Sequence, residues 1–198
     1  MNTIIRNSVL GIAGLAFAGG VAAGPMTDTT HTSAPTVDTT AVAVAVRADK
    51  PDMGKLVPHG VQGAQSRIEL SDEQVGNVKA IIAATKKAGM DERAAVVSIA
   101  TALQESKLEN LGHLGERNDH DSQGLFQQRP TSGWGTVEQI TDPEYSTTAF
   151  LKALKQVDGW QDMPLTEAAQ TVQVSAYPDH YAQWEQQAAD LVAEHWNN

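Results

Sequence analysis

A single glutamate, Glu105, is the residue of this 198-residue chain whose neighbours best suit it to act as an acid. It follows a run, Ala94 to Leu103, that is apolar or small at almost every position and comes after Asp91, a good helix N-cap. We predict a largely buried helix of about 16 residues beginning near Glu92. At about 100° per residue, Glu105 lies beside the small side chains of this helix and away from its polar stripe.

This position favours a specific chemistry for Glu105. A carboxyl group at the edge of a core is partly desolvated, which raises its pKa and lets it hold a proton near neutral pH. A general acid needs that property. The alternative is that Glu105 emerges into solvent at a fraying helix end or pairs with Lys107, and the residues alone leave both interpretations open.

Three short motifs follow one another in the order helix, loop and C-terminal region. They are QES at 104–106, SQGLFQ at 122–127 and SAY at 175–177. The middle motif lies in a stretch, Glu109 to Pro130, rich in Asn, Asp, His, Gly and Gln, which predicts a structured loop or small hairpin. Together the motifs resemble the lysozyme-like lytic transglycosylases and related peptidoglycan glycosidases, especially the small secreted forms of actinobacteria. The resemblance covers most of residues 94–181.

The resemblance implies cleavage of the β-1,4 bond between N-acetylmuramic acid and N-acetylglucosamine. In a lytic transglycosylase the sugar's own 6-hydroxyl closes on the anomeric carbon, so that Glu105 would serve first as acid and then as base. A hydrolytic lysozyme would use a second carboxylate to activate water, and Asp119 and Asp121 are the acids of the loop best placed for it. Both reactions remain open from the sequence.

The resemblance also implies substrate-binding roles around Glu105. Ser122 and Gln127 would orient Glu105 and the N-acetyl group of the substrate, while Gly124 would allow close approach of the backbone. Ordinary turn chemistry is the alternative for these residues. Trp134 stands between two glycines, where it suits either stacking on a sugar ring or plugging the base of the loop.

Tyr177 matches the family's tyrosine near the catalytic glutamate. The Asn and Gly that the family has soon after this tyrosine are replaced here by Pro178 and Asp179. This departure leaves open a second function, a non-catalytic module that binds the cell wall and retains the lysozyme-like fold.

A metal site is the alternative use of the polar loop. His113, Asp119, His120 and Asp121 form a cluster of candidate ligands whose start resembles a calcium loop, but Pro130 stands where that loop needs its bidentate Glu. The histidine spacing fits neither the helical zinc-protease pattern nor a zinc site with Cys ligands. We therefore predict hydrogen bonding within the loop, with no metal and no cofactor.

The N-terminal third predicts export followed by a linker. Arg6 precedes an apolar run at 9–21, which is shorter and richer in glycine than the roughly 18 to 20 apolar residues of a membrane span. We predict a secretory signal peptide over residues 1–23, no membrane anchor after processing, and a secreted or cell-wall-associated protein. Residues 24–64, rich in Thr, Ala and Pro, predict a disordered linker. The chain has no Cys, so the domain depends on its core alone.

Residues 65–198 predict one mostly α-helical, lysozyme-like domain of five or so helices with a small loop or β-hairpin excursion. Ser71 and Gln74 form a capping-box pattern, and Thr166 is placed to cap a later helix. After Pro143 we predict a helix with one apolar face. This face comprises Tyr145, Ala149, Ala153, Leu154 and Val157.

The charge of the chain bears on its partners. A net charge of −10 with a pI near 4.9 argues against nucleic acid, because binding phosphates needs a basic surface. The expected partner is the glycan strand of peptidoglycan, and the protein is expected to be a monomer.

Overall fold

The computed structural model describes residues 51–115 and 120–198, and in these two stretches the chain is mostly α-helical, as predicted. The predicted signal peptide, residues 1–23, and the first part of the predicted linker lie outside the described residues. The described stretches contain seven α-helices. They are α1 (Met53–Leu56), α2 (Asp72–Lys87), α3 (Glu92–Ser106), α4 (Val137–Ile140), α5 (Pro143–Leu154), α6 (Leu165–Gln173) and α7 (Glu185–His195).

Helix α3 is the central element, and it packs against α1, α2, α5, α6 and α7. Nearly every side chain from Arg93 to Leu103 is buried, including the run of Ala and Val at the start of the helix. Small side chains let neighbouring helices approach closely, which accounts for the number of helices around one axis. The helix predicted to begin near Glu92 is therefore confirmed, and the Asp91 side chain accepts a hydrogen bond from the Ala94 amide at 3.1 Å.

The local start signals of two other helices are confirmed. At α2 the Ser71 and Gln74 side chains each accept a hydrogen bond from the other residue's backbone amide, which completes the capping box. At α5 Pro143 occupies the first turn, and the Asp142 side chain accepts from the Tyr145 amide at 2.7 Å. These signals are local in sequence, so they are readable without tertiary information.

The predicted apolar face of α5 is correct in part. Leu154 is fully buried, and Ala153 and Val157 are partly buried against the core, but Tyr145 is 37% exposed. The buried face also includes Ser146 and Thr147, whose hydroxyls donate to the carbonyl oxygens of Asp142 and Pro143 at 2.8 and 2.6 Å. Because these hydroxyls are satisfied within their own helix, they can be buried at little cost.

Helix α6 is not capped by Thr166 as predicted. The residue before its first turn is Pro164, and Thr166 lies inside the helix, where its hydroxyl donates to the Pro178 carbonyl at 2.6 Å. This bond ties the segment after α6 back onto the start of the helix. A polar residue near a helix start thus serves a tertiary contact and not a cap.

Ordered packing begins before the predicted boundary at residue 65. Helix α1 lies within the predicted linker, yet Leu56 is fully buried in the core. The Arg93 guanidinium donates to the Leu56 carbonyl at 2.7 Å, and His59 Nε2 lies 2.7 Å from the Asp162 carbonyl oxygen. The linker therefore ends earlier than the composition indicated, because one buried leucine and two polar contacts anchor α1 to distant helices.

The excursion after α3 is a loop and not a β-hairpin. Within the described residues it contains one isolated antiparallel bridge, between Gln123 and Gln128, and no named strand. Across residues 51–115 and 120–198, no helix is both long and apolar enough to span a membrane.

Candidate active site

A cleft of about 600 Å³ opens where the C-terminal end of α3, the loop after it and the end of α6 meet. Amide and hydroxyl side chains make up much of its lining. The lining comprises Gln104, Glu105, Ser122, Phe126, Gln127, Gln128, Arg129, Ser132, Trp134, Val172, Gln173, Val174, Ser175, Ala176 and Tyr177. Five residues that the sequence singled out, Glu105, Ser122, Gln127, Trp134 and Tyr177, therefore lie on one cavity.

Glu105 is half-buried in the wall of this cleft, one residue before α3 ends. Its Oε1 atom accepts a hydrogen bond from the Tyr181 hydroxyl at 2.6 Å. A bond this short to a carboxyl oxygen fixes the side chain in one orientation. Glu105 is thus neither fully solvated nor withdrawn into the interior.

Tyr181 is the site residue that sequence reasoning missed. It is fully buried, and burial raises the pKa of its hydroxyl well above the usual range, with a further contribution from the nearby Glu105 charge. The Ser175 hydroxyl has a smaller opposing effect on that pKa. Tyr181 therefore stays neutral and acts as a hydrogen-bond donor.

The tyrosine expected near Glu105 was Tyr177, and the structure places a different tyrosine against the carboxyl group. Tyr177 is 62% exposed at the rim of the cleft and stacks on His180 with ring centroids 4.9 Å apart. One signal for Tyr181 was present in the sequence. It lies three residues before Trp184 and seven before Ala188, which continues the apolar spacing of α7.

A left-handed turn ends α3 just after Glu105. Lys107 and Leu108 have φ of 57° and 65°, and their carbonyls accept from the Gln74 and Asn77 side chains at 2.7 and 2.9 Å. These bonds anchor the helix end to α2. The helix end is therefore held in place and does not fray.

The Lys107 ammonium group points back along α3. It donates to the Leu103 carbonyl at 3.0 Å and lies 4.6 Å from the centre of the Trp184 ring. Burial lowers the pKa of Lys107, and the Glu105 charge opposes that shift. The aromatic ring and the carbonyl thus hold this cation beneath the catalytic candidate.

Gly124 supports the loop by contact with α4. Its φ is +79°, and a Cβ added there would lie 2.0 Å from the Ile140 carbonyl oxygen. Its amide donates to the Leu111 carbonyl at 2.7 Å. Gly124 is not among the residues lining the cleft, so the close approach that requires glycine here is to protein backbone.

Ser122 and Gln127 both lie on the cleft. Ser122 is buried, and Gln127 adopts a left-handed backbone with φ of 46° while its side-chain amide donates to the Gly124 carbonyl at 3.0 Å. Two bonds fasten this loop to its neighbours. Ser106 donates to the Leu125 carbonyl at 2.8 Å, and Gln173 donates to the Phe126 carbonyl at 2.8 Å.

Asp119 and Asp121 are the two acids of the loop that were predicted as a possible second carboxylate. Asp119 lies outside the described residues. Asp121 accepts from Arg129 Nε and from the Thr131 amide and hydroxyl, each at 2.9 Å. The Arg129 guanidinium, followed by the Thr131 amide, holds the pKa of Asp121 well below its usual range. Asp121 is therefore committed to the loop and does not line the cleft.

The position of Trp134 suits both of the predicted uses, because its half-buried side chain packs against the core and also lines the cleft.

Gln104 lines the cleft at the end of α3 and is held by the segment just before α7. Its side-chain oxygen accepts from Trp184 Nε1 at 2.9 Å and from Gln183 Nε2 at 3.1 Å. The QES motif includes Gln104, but the sequence analysis assigned no role to its side chain.

Within the described stretches there is no group of three or more His, Cys, Asp and Glu side chains that could hold a metal ion. His113 Nδ1 instead accepts from the Gly115 amide at 3.0 Å.

A scan against protein-family models gives no match, and a search of curated proteins gives none. Fold and site thus define the class only as a mostly α-helical protein with a half-buried glutamate in a polar cleft.

Proposed function

We propose that this protein is a peptidoglycan glycosidase that cleaves the β-1,4 bond between N-acetylmuramic acid and N-acetylglucosamine as a lytic transglycosylase. The supporting observation is the Glu105 carboxyl group in a cleft of about 600 Å³, with the Tyr181 hydroxyl 2.6 Å from its Oε1 atom. A general acid must reach the substrate, be held in a fixed orientation and be partly shielded from water. Glu105 meets these three conditions.

In the proposed reaction Glu105 gives its proton to the bridging oxygen as the glycosidic bond breaks. The 6-hydroxyl of the same muramic acid residue then attacks the anomeric carbon, and its proton returns to the Glu105 carboxylate. The product is a 1,6-anhydro end, and no water is consumed. A single carboxyl group suffices, which agrees with the engagement of Asp121 in the loop.

The cleft offers groups that suit a glycan. Four glutamine side chains line it, and amides both donate to and accept from sugar hydroxyls and N-acetyl groups. Trp134 and Tyr177 add two aromatic rings, which bind the apolar faces of pyranose rings. A cavity of this size with convergent polar groups is typical of a small-molecule or oligomer site.

The lysozyme-like identity of the fold and a location outside the cell belong to the same proposal. Peptidoglycan lies outside the cytoplasmic membrane, so the function requires export. The signal peptide predicted at residues 1–23 would provide that export.

Replacement of the proposed acid gives the primary test. We expect Glu105→Gln to reduce release of muropeptides from purified cell wall by about 10²–10⁴-fold, because the amide cannot supply a proton. The matched control is Glu167→Gln, an identical change at an exposed position of α6. Release at the wild-type rate by Glu105→Gln would disprove the proposal.

Product mass and strand binding extend this test. A transglycosylase product carries an anhydro end, which is lighter than a hydrolytic reducing end by one water. Products with reducing ends would instead indicate hydrolysis, in which a second carboxylate activates water. If the wild-type protein binds strands but releases no muropeptides, the result supports the alternative function, a non-catalytic module that binds the cell wall.

A further inference from the structure

The charged groups of the cleft are few and of opposite sign. Among its lining residues, all within the described part of the chain, Glu105 is the single anion and Arg129 the single cation. The protein as a whole carries a net charge of −10. An anionic ligand is therefore repelled by the protein as a whole. In the cleft the N–H donors of Arg129 are the groups that suit it, although Asp121 offsets part of the Arg129 charge.

The Arg129 guanidinium is held from one side. Its Nε atom donates to Asp121 Oδ1 at 2.9 Å, and Asp121 is itself fixed by the amide and hydroxyl of Thr131. Within residues 51–115 and 120–198, no hydrogen bond or ion pair occupies the two terminal nitrogens of Arg129. Its side chain is 36% exposed.

This geometry leaves the two terminal nitrogens available on a residue that lines the cleft. The two terminal nitrogens of a guanidinium present parallel N–H donors that match the two oxygens of a carboxylate. Because Asp121 restrains the Nε side, little further side-chain entropy is lost when a ligand binds. Lysine could supply the charge at this position but not the planar pair of donors.

We propose that Arg129 is a specificity-determining residue that binds a carboxylate carried by the glycan strand, an inference that depends on the proposed function for its substrate. Peptidoglycan offers this group from two sources. One is the free lactyl carboxylate of a muramic acid residue without a peptide, and the other is a carboxylate of the attached stem peptide. Strands that lack both are bound without help from Arg129.

Binding measurements by calorimetry test the inference. Three preparations of strands are compared: peptides attached, peptides removed, and peptides removed with the lactyl carboxylates converted to methyl amides. All variants carry Glu105→Gln, so that no strand is cleaved during the titration. We expect Arg129→Gln to weaken binding of a carboxylate-bearing strand by about 10- to 100-fold, and binding of the amidated strand by less than about twofold.

Two further variants complete the design. Arg129→Lys keeps the charge and loses the planar pair of donors, so it should recover part of the affinity and show a steeper dependence on salt. Arg67→Gln removes the same charge far along the chain, where Arg67 pairs with Asp190, and should behave as the parent. Thermal midpoints establish that each variant is folded. If Arg129→Gln does not fold, Arg129→Lys is used as the test variant.

The outcomes are distinct. A loss confined to the peptide-free strand identifies the lactyl carboxylate, and a loss confined to the peptide-bearing strand identifies the stem peptide. Equal losses on all three strands, no loss on any, or absence of strand binding would overturn the inference. Failure of the proposed function is a separate result, because it consists of binding without release of muropeptides by the wild-type protein.

Discussion

At the scale of residues, a hydrogen bond from Tyr181 helps to hold the Glu105 carboxyl group in the wall of the cleft. Tyr181 is fully buried and donates to Glu105 Oε1 at 2.6 Å, but it does not line the cleft. It is therefore a positioning residue and would not touch the substrate. Its removal should affect the rate of the chemical step more than the binding of the strand.

We predict that Tyr181→Phe lowers kcat about 10-fold or more and leaves KM within about twofold, because it removes one bond to a charged group and no contact with substrate. The alkaline limb of the pH–rate profile should move to higher pH, since a donated bond favours the ionised carboxylate and its loss favours the acid form. Tyr145→Phe, on an exposed face of α5, is the control. A change in KM alone, with the pH profile unmoved, would contradict the positioning role.

At the scale of elements, a buried ion pair joins three helices. Arg93 of α3 donates to Glu185 at the start of α7 at 2.7 Å and to the Leu56 carbonyl at the end of α1 at 2.7 Å. The two charged side chains are 5% and 2% exposed. The bond from Arg93 to the Leu56 carbonyl is one of the contacts that hold α1, a helix of four residues, on the core.

We predict that Arg93→Met lowers the free energy of unfolding by about 3–5 kcal/mol, because it leaves the Glu185 charge buried without its partner. The double variant Arg93→Met with Glu185→Gln should recover part of that loss, since it removes the unpaired charge. Urea denaturation of both variants measures the difference. If the double variant is no more stable than Arg93→Met, the ion pair does not account for the cost.

At the scale of the whole molecule, the response of stability to acid follows from the loop that carries Arg129. The pKa of Asp121 is held below its ordinary value of 3.8 in the folded protein, mainly by the Arg129 guanidinium. A carboxyl group with a depressed folded pKa stabilises the fold at pH values above its unfolded pKa. That contribution is lost as the pH falls through the folded pKa.

We therefore predict that wild type is more stable than Asp121→Asn by a constant margin above about pH 5, and that the margin narrows as the pH falls below about 4. Thermal midpoints measured from pH 7 to pH 2 test this. The control is Asp158→Asn, the same change at an exposed position. A stability difference between wild type and Asp121→Asn that grows as the pH falls would contradict this prediction.

Much of this protein was determined by local sequence. Asp91, the Ser71–Gln74 pair and Pro143 specify helix starts because capping bonds join residues a few positions apart. The buried run before Glu105 specified α3 and placed Glu105 off its polar stripe. Four other residues that the sequence singled out, Ser122, Gln127, Trp134 and Tyr177, lie with Glu105 on one cleft.

What only the tertiary structure decided depends on contacts between distant residues. Tyr181, and not Tyr177, contacts Glu105, 76 positions earlier in the chain, and the Leu56 carbonyl accepts a hydrogen bond from Arg93, 37 positions away. The hydroxyl-bearing face of α5 is buried because its neighbours cover it, which helical periodicity does not encode. Short-range hydrogen bonds and apolar spacing are written in adjacent residues, whereas the partner of a buried polar group is fixed only when the chain packs on itself.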